Sequence, residues 1–236
     1  GFSSHLLQQT LGVKFNSYSD NLFNDSAVVL PTHAYETIPV ETQSTALSNG
    51  WCWSIPLQNR TGNGYVYSAS HLTKDKAEEE LRRHLGLENS DVEARHLKMK
   101  VGQVAQHWQK NCLALGLSQG FIEPLEATAL HLVQICIEYF SDTFEKSGFS
   151  SKESAAYNAF AKERFDRVRD YIVAHYKLNT RDDSEYWRAN RNNMVLSDSL
   201  KSLISTWFQR EDLTGEINRQ NIGMHWDSVS WHCLFA

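Results

Sequence analysis

Glu126 is the side chain best placed for acid–base chemistry, because it follows a glycine-containing turn at a point where a helix is expected to begin. Its carboxylate could accept a proton, and the unpaired backbone N–H groups of a first helical turn could bind an anion. A glutamate at the start of a helix is also explained by its favourable interaction with the helix dipole. The residues alone leave both interpretations open.

Two elements must position this glutamate. Residues 112–117 form an apolar run that predicts a short strand, and Pro124 is expected to open a helix, where its missing N–H costs nothing. The apolar residues after it recur at helical spacing and predict one buried face. That face comprises Leu125, Ala129, Leu132, Val133, Cys136, Ile137 and Phe140. A strand that leads through a glycine turn into a helix is a common anion-binding arrangement in α/β proteins.

Composition excludes several classes of protein. The 236 residues could hold one large domain or two small ones. The net charge is −5 and basic residues are scattered, so nucleic acid is not an expected partner. The four cysteines lie far apart and no histidine pair has metal-ligand spacing, which predicts reduced thiols and no metal site. Because no signal peptide or apolar run of membrane length is visible, we expect a cytoplasmic protein without a membrane partner.

The first half of the chain is predicted to be rich in strands and the second half mainly helical. Turn residues at 59–64 separate two apolar runs, 51–57 and 65–67, and predict a hairpin. The polar residues 141–154 predict a linker. Further strands are expected at residues 27–30 and 96–105, and helices at residues 5–11, 74–85, 155–176, 197–208 and 214–222.

Aromatic residues form two groups. Trp51 and Trp53 lie two positions apart on a predicted strand, so their side chains share one face, and a packed sheet face is the simplest interpretation. The second group lies near residue 236 and includes Trp226 and Trp231. It would suit the core of a small helical domain or a pocket for an aromatic ring equally well.

Three segments in order resemble the flavin-dependent tryptophan halogenases. Residues 51–56 fit that family's Trp-x-Trp-x-Ile-Pro signature through Trp51, Trp53, Ile55 and Pro56, residues 62–68 continue as the family does, and residues 116–126 match its flavin- and halide-binding segment. The resemblance implies an α+β, flavin monooxygenase-like (FAD-binding) fold, of which this chain would be the C-terminal portion. Residues 1–146 would form a partial flavin- and halide-binding domain, and residues 147–236 a helical substrate-binding region.

The implied function is that of a flavin-dependent halogenase. Reduced FAD, supplied by a separate flavin reductase, would generate hypohalous acid from oxygen and a halide ion, which would halogenate an indole or another electron-rich small aromatic substrate. The dinucleotide loop and the reactive lysine of such proteins would lie upstream of Gly1. A flavin-dependent aromatic hydroxylase and a non-catalytic module that binds aromatic compounds are the alternatives, and a homodimer is one expectation for the oligomeric state.

The resemblance also implies roles for individual residues. Glu126 would orient the halogenating species and accept the proton released from the ring, and the backbone amides of Thr128 and Ala129 would hold halide. Residues expected to contact the flavin are Leu117, Ser118, Gly120, Pro124 and Leu130, and those expected near the substrate are Ala127, Asn221, His225 and Trp226.

Three positions depart from the family pattern. Ala127 and Ala129 replace a serine and a glycine or serine that the family usually has. Asn221 stands about where enzymes that act on free tryptophan have an acidic residue for the substrate ammonium. This favours a neutral indole or another electron-rich ring over free tryptophan.

Overall fold

A computed structural model describes residues 4–224 and 226–236, so His225 lies outside the described residues. Within them are ten strands and seven α-helices. The strands are β1 (Phe15–Ser17), β2 (Ser26–Thr32), β3 (Gln43–Leu47), β4 (Gly50–Pro56), β5 (Thr61–Tyr67), β6 (Arg95–Lys98), β7 (Gly102–Val104), β8 (Trp108–Gln109), β9 (Cys112–Leu113) and β10 (Gly120–Phe121). The helices are α1 (Lys74–Leu85), α2 (Ala129–Lys146), α3 (Ser154–Lys177), α4 (Glu185–Asn192), α5 (Asp198–Phe208), α6 (Leu213–Gln220) and α7 (Ser228–Phe235).

The chain divides into two compact units, and neither is continuous in sequence. Unit 1 contains the residues up to Asn21, Val101–Asn179 and Arg191–Ala236, and unit 2 contains Leu22–Lys100 and Thr180–Asn190. The predicted boundary between residues 146 and 147 separates a flavin- and halide-binding part from a substrate-binding part. It lies inside unit 1 and stays a prediction.

Unit 2 is built on a five-stranded antiparallel sheet with the order β3-β4-β5-β2-β6. β4 and β5 form the predicted hairpin, in which Pro56 opposes Thr61. Helix α1 covers one face and ends, as expected, at Gly86, which has a φ of +68°. The core between this helix and the sheet consists of Val28, Leu30, Cys52, Tyr65, Tyr67, Ala77 and Leu81.

The tryptophan motif occupies β4 and depends on a glycine in the neighbouring strand. Cys52 points into the core with α1, so Trp51, Trp53 and Ile55 point to the opposite face of the sheet. Gly64 of β5 opposes Trp53, and a Cβ atom added to Gly64 would lie 2.1 Å from Cζ2 of the Trp53 indole. The indole therefore lies over a glycine that leaves room for it.

We expect Gly64→Ala to destabilise unit 2 by about 1–3 kcal/mol, because the added methyl group forces the Trp53 ring out of its site. Gly62→Ala is the matched control, since a Cβ there would meet its nearest neighbour, the carbonyl oxygen of Ile55, at 3.9 Å. Chemical denaturation checks the difference. If Gly64→Ala costs as much in a Trp53→Ala background, the steric explanation is wrong.

A second segment of the chain, Thr180–Asn190, completes unit 2. The hydroxyl of Ser184 donates to the carbonyl oxygen of Ser48 (2.6 Å), and the indole N–H of Trp187 donates to the carbonyl oxygen of Leu47 (2.8 Å). The buried Tyr186 hydroxyl donates to the side-chain oxygen of Asn24 (2.9 Å). The first two bonds hold the segment at the end of β3 and the turn after it, and the third joins it to the residues before β2.

Unit 1 is organised around α3, a helix of 24 residues that confirms the long helix predicted from residue 155. The helix packs with α2, and Trp108, Cys136, Tyr157 and Ala161 form a common buried cluster. A three-stranded antiparallel sheet with the order β1-β7-β10 lies in the same unit. In the described part of the chain, no helix is both long enough and apolar enough to cross a membrane.

A buried polar network ties β7 to the middle of α3. The Tyr18 hydroxyl donates to Asp166 of α3 (2.7 Å) and accepts a hydrogen bond from the side-chain amide of Gln103. Nε2 of His107 lies 2.9 Å from the amide oxygen of Gln103. Burial lowers the pKa of His107 to about 4, so this imidazole is neutral and serves as a fixed part of the frame.

Three predicted elements differ from the structure. Residues 96–105 contribute to two strands in different sheets, β6 and β7, because the chain passes from unit 2 to unit 1 after Lys100. The strand expected at residues 112–117 is only β9, and it gives way to a 3₁₀ turn at Gly116–Ser118. The linker expected at residues 141–154 is wrong, because α2 continues to Lys146, where the ring of Phe144 packs on Trp108.

Candidate active site

Glu126 lies in a left-handed turn that precedes helix α2. Pro124 begins a 3₁₀ turn over Leu125–Ala127, and both Glu126 (φ +71°) and Ala127 (φ +52°) have left-handed backbone conformations. Helix α2 starts only at Ala129, so the expectation that Pro124 opens this helix is wrong. For residues other than glycine, the left-handed conformation costs about 1–2 kcal/mol each, so surrounding contacts must hold this turn in place.

The carboxylate of Glu126 is bound by a histidine from α3. Oε1 of Glu126 lies 3.0 Å from Nε2 of His175, and Nδ1 of the same ring lies 2.9 Å from the carbonyl oxygen of Tyr171. Both side chains are partly exposed, Glu126 at 37% and His175 at 22%. Among the described residues, no other side chain forms a hydrogen bond or ion pair with the Glu126 carboxylate, and Oε2 has no such partner.

The histidine keeps the glutamate ionised. The hydrogen bond from His175 is the largest influence on the pKa of Glu126 and lowers it, while partial burial opposes that change. A carboxylate with a lowered pKa is charged at neutral pH and can act as a proton acceptor or stabilise developing positive charge.

A second glutamate fixes the other end of the turn. Glu123 is buried, and its Oε2 accepts a hydrogen bond from the Tyr176 hydroxyl (2.5 Å). Tyr176 follows His175 directly on α3, so consecutive residues of one helix hold the two carboxylates on either side of Pro124. The Glu123 side chain therefore serves this buried contact.

A cavity of about 200 Å³ adjoins the turn. Of the residues expected to contact flavin or halide, six line it: Leu117, Gly120, Pro124, Thr128, Ala129 and Leu130. Ser118 does not line it, because its hydroxyl donates to the carbonyl oxygen of Leu115 (2.8 Å) within the Gly116–Ser118 turn. Leu130 is 82% exposed and Leu117 45% exposed, so two large apolar side chains stand open to solvent beside the cavity.

The first turn of α2 is open to an anion. Its first hydrogen bond runs from the Leu132 N–H to the carbonyl oxygen of Thr128 (3.0 Å), so the N–H groups of Thr128 and Ala129 precede the helical hydrogen-bond ladder. This turn has no acidic residue and no side-chain cap. Ala129 and Ile137, expected on the buried face of this helix, are exposed instead, while Leu132 and Cys136 are buried.

Aromatic residues continue from His175. The ring of Tyr171, one turn earlier on α3, packs edge-on against His175, with ring centroids 5.1 Å apart. Its other contacts are a stack on Trp226 at 3.9 Å and an edge contact with Trp231 at 4.8 Å. Glu126, His175, Tyr171 and Trp226 are therefore contiguous, although Trp226 is buried and does not line the cavity.

The remaining predicted residues have these positions. Asn221 ends helix α6 in a left-handed conformation (φ +53°), a role for which asparagine is suited, and any contact with substrate stays a prediction. Ala127 lies exposed in the turn beside Glu126. Trp51, Trp53, Ile55 and Pro56 all belong to unit 2. No group of three or more residues able to hold a metal occurs in the part of the chain that the structure describes.

Sequence reasoning missed His175 and Tyr171 as members of this site and treated them only as residues of a long helix. The available signal was their spacing, since residues four apart lie on one face of a helix. That spacing fits any amphipathic helix, so it did not identify Glu126 as the partner of His175.

Comparison with known proteins gives a consistent result. The family model for tryptophan halogenases matches residues 1–236. The chain is 40% identical to the tryptophan 6-halogenase SttH of Streptomyces toxytricini over 210 residues, which are 88% of this chain and 40% of that protein. It is 32% identical to the tryptophan 7-halogenase RebH of Lentzea aerocolonigenes, again over 88% of this chain and 39% of that protein.

Solved structures agree with these matches. The crystal structure of SttH superposes with a TM-score of 0.82 over 88% of this chain and 41% of that one. BrvH, a flavin-dependent halogenase from Brevundimonas sp. BAL3, superposes with a TM-score of 0.81 at 37% identity, over 88% of this chain and 42% of that one. The chain thus spans about 40% of the length of these relatives, and the expected fold class is confirmed. By both sequence and fold, this chain belongs to the tryptophan halogenase family.

Proposed function

We propose that the protein carrying this chain is a flavin-dependent halogenase of indole or another electron-rich aromatic ring, with FAD reduced by a separate flavin reductase. The observation that carries the proposal is the placement of Glu126. Its ionised carboxylate is held by His175 in a turn whose flanking residues, Pro124 and Thr128, line the cavity that contains the predicted flavin and halide positions.

The residues around this cavity fit both ligands. The exposed side chains of Leu117 and Leu130 offer apolar surface to a flat ring system, and Gly120 exposes backbone there. The N–H groups at the start of α2, without a neighbouring carboxylate in that turn, offer a site for an anion of halide size. When bound, reduced FAD together with oxygen and halide supplies the halogenating agent.

We assign the chain's own residues the following roles. The backbone amides of Thr128 and Ala129 hold halide, and Leu117, Gly120, Pro124 and Leu130 contact the flavin. Glu126 orients the halogenating species and accepts at Oε2 the proton that leaves the ring carbon, which is general-base catalysis. Trp226 and His225 contribute to the substrate site, and residues 1–146 and 147–236 serve mainly flavin and substrate respectively. A cytoplasmic location and a homodimer stay predictions.

The assay that tests this function uses the protein with FAD, NADH, a flavin reductase, oxygen and bromide, offered indole and a panel of substituted arenes. Mass spectrometry should detect brominated product that depends on bromide and on flavin. Oxygenated product that forms without halide would favour a hydroxylase. Absence of any product, together with absence of FAD binding, would overturn the proposed function.

Halide selectivity is expected to respond to residue 129. Because the methyl group of Ala129 adjoins the amides assigned to halide, Ala129→Gly should raise the ratio of brominated to chlorinated product by roughly 2- to 10-fold, and Ala129→Val should lower it. The measurement is product competition in equimolar chloride and bromide. Equal ratios in all three proteins would contradict the halide site proposed at this helix start.

A further inference from the structure

We propose that His175 is a positioning residue for the halogenation reaction, whose Nε2–H holds the Glu126 carboxylate at Oε1 and leaves Oε2 to the substrate. The inference rests on the proposed function and adds a second residue to it. Nothing in the sequence motifs around residues 51–56, 62–68 or 116–126 includes position 175.

The imidazole ring of His175 makes two polar contacts. Nδ1 lies 2.9 Å from the carbonyl oxygen of Tyr171, and Nε2 lies 3.0 Å from Oε1 of Glu126. A carbonyl oxygen and a carboxylate oxygen can only accept hydrogen bonds. With Glu126 ionised, the Nε2 contact is therefore a hydrogen bond that the ring donates and Oε1 accepts.

The backbone conformation of the turn makes the contact between His175 and Glu126 important. Glu126 and Ala127 are consecutive left-handed residues, and neither is glycine. Such conformations persist where surrounding contacts over-determine them. On one side the Glu123–Tyr176 bond holds the turn, and on the other side the His175–Glu126 bond does so. If the second bond is lost, the Glu126 side chain is free to leave its position without breaking the first.

The other titratable groups near this pair are few. Tyr171 packs against His175 on α3 and interacts electrostatically with Glu126. Asp227 and Cys233, from the region of α7, face Tyr171 in turn. Tyr171 has a pKa raised to about 12, chiefly by burial, and stays neutral. Among the described residues, His175 is the one side chain that forms a hydrogen bond with the Glu126 carboxylate.

The role can be tested with two substitutions and a control. His175→Phe removes both ring nitrogens and should lower kcat roughly 10- to 100-fold with a small change in KM, because the acceptor carboxylate is no longer held in place. His175→Gln keeps an N–H donor that does not titrate and should recover most of the rate. His84→Gln, at an exposed position of α1, is the matched control and should behave as the wild type.

The behaviour of His175→Gln separates positioning from a merely structural role. If His175 only supports the fold, His175→Gln should lose kcat and thermal stability together, whereas a positioning role predicts that kcat alone recovers in this variant. A readout independent of activity is available from ¹⁵N-labelled histidine in the cofactor-free protein. The Nε2–H proton of His175 should exchange with solvent more slowly in the wild type than in Glu126→Ala, which has no carboxylate to accept it.

The outcomes are distinguishable. If the wild type halogenates no arene, the proposed function fails first. If the wild type is active and His175→Phe retains its kcat, or His175→Gln recovers none of the lost rate, the positioning role is overturned. Thermal unfolding of each variant checks that a lost rate does not reflect a lost fold, and equal exchange of the His175 Nε2–H in the wild type and Glu126→Ala would also overturn the inference.

Discussion

Replacing Glu126 by glutamine is expected to slow ring halogenation by about 10²- to 10⁴-fold, because the amide can no longer accept the proton that leaves the ring. The glutamine can still accept a hydrogen bond from His175, so the turn should keep its conformation. FAD binding should be unchanged, since Glu126 does not line the cavity assigned to flavin. Single-turnover product formation measures the rate, and a fluorescence titration measures FAD binding.

The matched control is Glu145→Gln, an exposed glutamate of helix α2. It changes the net charge by the same amount and should leave the rate unchanged. If Glu126→Gln is also as fast as the wild type, Glu126 is not the proton acceptor. If Glu126→Gln loses FAD binding together with activity, the assignment of flavin binding to the cavity and proton acceptance to Glu126 is wrong.

The lowered pKa of Glu126 fixes the sign of its pH dependence. A carboxyl group whose pKa is lower in the folded state than in the unfolded state stabilises the fold above the unfolded pKa, and this contribution is lost as the pH falls through the folded pKa. The carboxylate that accepts the proton is lost over the same acid range. In Glu126→Gln, the acid decline of both stability and rate that is due to this group should therefore be missing.

Gly120→Ala is expected to have the largest structural effect at the site. Strand β10 pairs with β7 so closely that a Cβ atom on Gly120 would lie 2.2 Å from the carbonyl oxygen of Gly102 and 2.7 Å from Cα of Gln103. Backbone atoms cannot swing aside as a side chain can, so the two strands must separate. We expect a loss of about 3 kcal/mol or more in the free energy of unfolding.

FAD affinity should fall as well, because Gly120 forms part of the cavity wall. Gly116→Ala is the matched control from the same wall. A Cβ atom on Gly116 would lie 3.4 Å from Cγ2 of Val133, which is an ordinary contact distance. The substitution should therefore cost only the strain of the left-handed φ of +59°, about 1–2 kcal/mol. Chemical denaturation and FAD titration of both variants provide the measurement. Equal losses in the two proteins would contradict the steric argument for Gly120.

Elements with strong local signals were predictable from the sequence. The cluster of turn residues at 59–64 predicted the β4–β5 hairpin, although Asn63 and Gly64 lie inside β5 and the connection is at residues 57–60. Gly86 marked the end of α1, and Ser197 caps α5 by accepting a hydrogen bond from the Leu200 N–H (3.0 Å). The long amphipathic pattern of residues 155–176 was enough to predict α3. In each case the interactions that decide the structure lie within a few residues of one another.

The geometry of the site could not be obtained in the same way. Pro124 followed by helix-forming residues favours a helix from that point, and the structure has a left-handed turn because Glu123 and Glu126 bond to Tyr176 and His175. The His175 contact joins residues 49 positions apart. The resemblance to a known family supplied Glu126, Thr128 and Ala129, and it supplied nothing at position 175. Tertiary contacts of this kind override local propensity and leave no local signal.

The return of the chain to unit 2 at Thr180–Asn190 bears on the order of folding. The hydrogen bonds from Arg181, Ser184, Trp187 and Tyr186 to the sheet region close loops of 135, 136, 140 and 162 residues. Such closures are slow because the entropy of the intervening chain must be lost before the contacts form. During synthesis, the β4–β5 hairpin and α1 can form early. The carbonyl groups of Ala46, Leu47 and Ser48 can accept these hydrogen bonds only after residues 181–187 have been synthesised.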